Sequence, residues 1–83
     1  MTTPESIKGA IEAGVACERV DVVGDGQHFQ ALIVSEAFAG LSKVRRHQLI
    51  YAALGDRMRE EIHALSMTTL TPAEWAQRSE GGR

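Results

Sequence analysis

A chain of 83 residues is enough for one small domain and no more. Its net charge of −2 argues against a general affinity for nucleic acid, which rests on clustered positive charge. With 43% hydrophobic and 24% charged residues it reads as a soluble globular chain, and no apolar run approaches the length of a membrane span. Cys17 is the single cysteine, which excludes an internal disulfide and fits a reducing compartment. The opening MTTPESIKGA lacks the apolar run of a signal peptide, so cytoplasm is the expected location.

Thr3-Pro4-Glu5 opens the first element: a capping hydroxyl, a proline suited to the first helical position and an acid that complements the helix dipole. Ile7, Ala10, Ile11, Gly14 and Val15 follow one helical face, and Gly14 is a stop signal, giving a helix over about 4–14. Arg19–Val23 and His28–Val34 are β-compatible runs joined by Gly24-Asp25-Gly26, which predicts an antiparallel hairpin. Ser35–Gly40 reads as one helical turn closed by glycine, and Ser42 caps a longer helix.

In that helix Val44, His47, Ile50, Tyr51, Leu54 and Met58 share one face at 3.6-residue spacing. Arg45, Arg46, Leu49 and Arg57 fall opposite. Gly55 is a weak point that could split the segment in two. Ala64–Leu70 alternates as a third strand. Thr71-Pro72-Ala73-Glu74-Trp75 repeats the cap, proline and acid of the N-terminus, opening a last helix. The order α-β-β-α-α-β-α predicts an α+β two-layer sandwich, a small three-stranded sheet with helices over one face. It forms a single domain over 1–83, with its core at about 4–77 and a frayed tail at 78–83.

The residues that could carry chemistry are few. His28, His47 and His63 show no close ligand spacing and there is no CxxC, so this chain alone does not supply four ligands to a structural zinc. A site shared with another molecule stays open, because histidine ligates iron–sulfur clusters when cysteines come from elsewhere. The alternative readings are a surface or hydrogen-bonded His63, a cross-strand surface His28 and a packing His47. Lys43, Arg45 and Arg46 place three cations in the first turns of a helix, against its dipole, which hints at phosphate or an acidic partner. The other reading is a solvated face balanced by acids such as Glu36.

No GxxG loop occurs, nor a glycine-rich loop opening a helix. Glu60 and Glu61 are adjacent on a helix and diverge, and no nucleophile elbow exists, so an enzyme is not expected. Cys17 reads as a small semi-buried apolar residue rather than a reactive thiol, and Trp75 as a hydrophobic clasp or a partner anchor.

Several blocks spread along residues 5–76 resemble the BolA family, most of all its shorter bacterial branch. They are His28-Phe29, Ser35-Glu36-Ala37-Phe38-Ala39-Gly40-Leu41-Ser42, Arg46-His47-Gln48-Leu49-Ile50-Tyr51, Ile62-His63-Ala64-Leu65-Ser66 and Thr71-Pro72-Ala73-Glu74-Trp75. The resemblance implies an αββααβα fold related to class II KH domains. It also implies partnership with a monothiol glutaredoxin, in a heterodimer that shares a [2Fe-2S] cluster with the glutaredoxin cysteine and glutathione. The isolated chain is then expected to hold no cofactor. The family's Ile-His-Ala-Leu histidine matches His63. Its second ligand, in or near the hairpin loop, has His28 as the nearest candidate. The resemblance further implies transcriptional regulation linked to stress and cell shape, through a KH-like surface whose contacts here would be Lys43, Arg45 and Arg46.

Overall fold

In the computed structural model residues 3–61 and 64–81 are described, with the backbone alone for 56–61, 64 and 79–81. The first helix, α1 (Pro4–Gly14), begins in a reciprocal cap. Ser6 N donates to Thr3 Oγ1 at 3.1 Å, while Thr3 N donates to Ser6 Oγ at 3.1 Å, so two otherwise orphaned donors are satisfied together. The hairpin follows as β1 (Arg19–Gly24) and β2 (His28–Val34), antiparallel, with Arg19 opposite Val34 and Gly24 opposite Phe29. A 3-10 turn at Glu36–Phe38 leads through Ser42 to α2 (Lys43–Glu61), then β3 (Ala64–Leu70) and α3 (Pro72–Gly81).

The sheet order is β1-β2-β3, and β3 runs parallel to β2. Strand, long crossover helix and parallel strand make up one βαβ unit, which antiparallel hairpins do not need.

Ser42 caps α2, its Oγ accepting from Arg45 N at 3.2 Å. The expected break at Gly55 is present: its φ of 78° and ψ of 171° interrupt an otherwise continuous segment. The buried face of α2 differs from the expected one. Ile50 and Leu54 are core residues, Leu49 and Ala53 pack against the core, and Arg46 is only half-exposed. Val44 is 65% and Tyr51 39% exposed. The stripe 46, 49, 50, 53, 54 has the same i, i+3, i+4 spacing as the expected one but is turned by about a quarter-turn at ~100° per residue. The reason is Arg46, whose head group finds internal partners and so occupies a position that hydropathy assigns to solvent. The placement expected of Met58 and Arg57 on the helix falls outside the described side chains.

Strand alternation divides the sheet into two faces. Val20, Phe29, Ala31 and Ile33 turn toward α1 and α2 and form the core with Ile7, Ile11, Val15, Phe38, Ile50 and Leu54. Arg19, His28, Gln30, Val34, Ser66 and Thr68 turn to the second face. At its Val34 end that face is closed, where the Arg19 guanidinium lies 5.1 Å from the Trp75 ring and Val34 is buried. Trp75 is half-buried there, with the Arg19 guanidinium over its ring. Among the described residues no helix is long and apolar enough to cross a membrane.

Candidate functional site

The hairpin loop is built around one carboxylate. Asp25 Oδ1 accepts from His28 N at 2.9 Å and from Gln27 N at 3.0 Å, and Asp25 N donates to His28 O at 3.2 Å. Gly26, at a φ of 101°, supplies the left-handed turn residue this loop needs. Donation by His28 N and then Gln27 N holds the Asp25 carboxyl below its ordinary range. The loop thereby fixes the backbone of His28 at the first position of β2, with its side chain exposed.

The parallel register sets His28 beside Ala64, the first residue of β3. Adjacent strands lie ~4.8 Å apart, so the described end of β3 is immediately alongside His28. Ala64 is the chain neighbour of His63, and His63 itself lies outside the described residues. Sequence spacing separates His28 and Ala64 by a whole helix, so their pairing is not readable from motifs. The signal that could have found it is the crossover, since a strand returning after a long helix is parallel and adjacent.

At the other end of the sheet, Arg46 does not join Lys43 and Arg45 in solvent. Its side chain is 13% exposed. Nε donates to Leu41 O at 3.0 Å, and NH1 donates to Thr69 O at 2.9 Å and to Glu74 Oε1 at 2.8 Å. NH2 donates to Glu74 Oε2 at 3.2 Å, and the guanidinium lies 5.9 Å from the Phe38 ring. Glu74 also accepts from Thr71 N at 2.9 Å while Glu74 N donates to Thr71 Oγ1 at 3.1 Å, the capping box of α3. Arg46 and then Thr71 N hold the Glu74 carboxyl down at about 2. One guanidinium therefore ties the start of α2, the end of β3 and the start of α3. Lys43 and Arg45 remain exposed.

Cys17 is half-buried, its Sγ donating to Val15 O at 3.2 Å. Burial first, and Glu12 second, push its thiol pKa up, the opposite of what a reactive or metal-binding thiolate needs. His47 is half-buried on α2. Among the described residues no cluster of three or more His, Cys, Asp or Glu is arranged to hold a metal ion.

Against this geometry, comparison with known proteins is specific. Residues 5–74 match the family of BolA-like proteins. The chain is 39% identical over 72 residues to the acid stress protein IbaG of Escherichia coli K12, covering 86% of each chain. It is 44% identical over 57 residues to the DNA-binding transcriptional regulator BolA of Vibrio cholerae, covering 69% of this chain and 54% of that one. The solved structure of a BolA homologue from Coxiella burnetii superposes with a TM-score of 0.81 at 44% identity, covering 92% of this chain and 99% of that one. A match over most of the chain, the same α+β fold and this identity establish that the chain belongs to the BolA-like family.

Proposed function

We propose that the protein is an adaptor rather than an enzyme, and that it binds a monothiol glutaredoxin and shares a [2Fe-2S] cluster with it. The observation that carries the reading is the parallel register that sets exposed His28 beside Ala64, the residue following His63. Such a cluster takes four ligands, and His28 and His63 would be the donors from this chain. The donor set is therefore incomplete by design: His28 and His63 would hold one side, and a partner's thiolate and glutathione the other. When bound, the cluster supplies iron–sulfur transfer or sensing. The chain's own part is to present the imidazoles, with the Asp25 loop fixing the His28 backbone.

The test is anaerobic reconstitution with a monothiol glutaredoxin and glutathione, followed by visible absorption and circular dichroism. The expected result is a heterodimer spectrum that His63→Ala and His28→Ala each change. Spectra identical to the unaltered chain's from both variants would overturn the ligand assignment.

A second reading, DNA binding in transcriptional regulation, rests on exposed Lys43 and Arg45 at the start of α2 and on the activity in the Vibrio relative's name. With Arg46 engaged internally, two cations are left for phosphate. The slope of log K against log salt attributable to this helix should then be no steeper than about −2. Binding that survives Lys43→Ala with Arg45→Ala, at unchanged salt slope, would refute the helix as the contact.

A further inference from the structure

Along β2 the side chains on the second face of the sheet pass from exposed His28 and Gln30, through half-buried Leu32, to buried Val34. The cover therefore lies at one end. The 3-10 turn that follows Val34 sends Phe38 into the core on the opposite face, so it does not supply this cover. α3 is placed to do so. It starts two residues after Leu70, which is level with Val34 on β3. Its Trp75 ring lies 5.1 Å from the guanidinium of Arg19, which is level with Val34 on β1.

α3 is held there without joining the core. Between Pro72 and Arg78 no residue is buried, and none belongs to the hydrophobic cluster. Among the described residues two arginines from other elements hold the helix. Arg46 donates to both carboxylate oxygens of Glu74, and Arg19 lies over Trp75. Glu74 and Trp75 are both partly in solvent, where ion pairs and cation–π contacts are weakest. The strand before the helix is pinned separately, because Leu70 O accepts from Ser35 N at 2.9 Å. Thr71 N then turns to Glu74 instead of continuing the ladder, so the first turn of α3 is closed within itself. The junction between Leu70 and Thr71 thus joins a fixed strand to a self-contained helix.

We infer that α3 is a latch, opening as a unit about the Leu70–Thr71 junction while the sheet, α1 and α2 stay folded. Segments that open at less than the global unfolding free energy are those that bury little apolar surface. Closed, the latch covers Val34 and gives Arg46 its counter-charge. Open, it bares Val34 and leaves Arg46 bonded to the Leu41 and Thr69 carbonyls with its positive charge unmatched. The position of α3 therefore sets both the apolar surface and the charge at the end of the sheet where α2 begins with exposed Lys43 and Arg45.

The experiment follows alkylation by iodoacetamide of single cysteines in a Cys17→Ser background. Val34→Cys places the thiol at the end covered by α3, and Ile33→Cys places it one residue away in the core on the opposite face. Under native conditions Val34→Cys is expected to react about tenfold faster or more, since local opening exposes the first position and only global unfolding exposes the second. Glu74→Gln removes the charge pair while keeping a side chain that can close the cap. It should speed alkylation of Val34→Cys by about two- to fivefold and leave that of Ile33→Cys unchanged. Equal rates at the two positions, or a Val34→Cys rate that Glu74→Gln does not move, would overturn the latch. Hydrogen exchange of the unaltered chain tests the same opening without a cysteine. The amides of α3 should exchange well before those of β2, and equal protection of the two elements would overturn the inference.

Discussion

Replacing Arg46 with lysine separates charge from geometry. Lysine keeps the positive charge but offers one nitrogen, where the guanidinium serves Leu41 O, Thr69 O and both Glu74 oxygens from a planar fork. Glu74 is half in solvent, so its share is screened and is not counted. The two carbonyls are the terms that matter, and hydrogen bonds from a charged donor are worth ~1.5–3 kcal/mol each, without full additivity. A loss of about 2–3 kcal/mol is expected, or a fall in Tm of roughly 10–20 °C for a domain of this size. Urea and thermal unfolding followed by far-ultraviolet circular dichroism measure it.

The same contact has a pH signature. Glu74 lies at about 2 in the folded chain against an ordinary 4.5, so between those values the unfolded chain binds the extra proton. Stability therefore rises with pH through that window; the contribution is fully present above it and is lost as pH falls toward 2. Arg46→Lys should flatten this limb, and Glu74→Gln should remove the Glu74 share of it while leaving that of Asp25. A lysine variant within ~0.5 kcal/mol of the unaltered chain, with the acid limb intact, would refute the assignment of Arg46 as the clip.

Three further outcomes are expected from unfolding measurements. Gly55→Ala should destabilise by about 1–3 kcal/mol, because a φ of 78° with ψ of 171° is a region that only glycine occupies readily; in a regular helix the same change would stabilise. Gly14→Ala should cost ~1–3 kcal/mol, since the added Cβ would sit 2.6 Å from Ala53 Cβ where α1 crosses α2. Thr69→Val should gain about 1 kcal/mol, because the Thr69 hydroxyl is buried and makes no hydrogen bond among the described residues.

The parts of the fold legible in the sequence are those specified locally. Thr3-Pro4 and Thr71-Pro72 each announce a helix because capping and fixed φ act within one turn. The Asp25-Gly26 pair announces the hairpin for the same reason. Two features depend on distant partners and were not legible. The phase of α2 turned on whether Arg46 faced water or the interior, and its acceptors come from β3 and from α3, far along the chain. Hydropathy scores an arginine as exposed whatever awaits it, so Val44 and Tyr51 were assigned to the core and Arg46 to the surface. Likewise, His28 and Ala64 meet only because β3 chooses β2 as its neighbour and runs parallel to it.

That register also separates the two candidate surfaces. His28 and Ala64 form one end row of the sheet, and Val34 and Leu70 the other, where the Arg46 contact and the start of α2 with Lys43 and Arg45 are found. Six residue steps of ~3.3 Å put the rows roughly 20 Å apart. The Debye length in physiological salt is about 8 Å, so a change of charge on a cluster held at the first row, as proposed, would be screened at the second. If the chain holds a cluster and binds DNA as proposed, direct electrostatics would not make DNA affinity respond to cluster binding. If the two activities are coupled, the link must pass through the bulk of a bound partner or through a rearrangement of the Arg46 contact. In the second case Arg46→Lys alters the coupling, while in the first it leaves the coupling unchanged. A DNA-binding measurement on the heterodimer, with and without that substitution, decides between them.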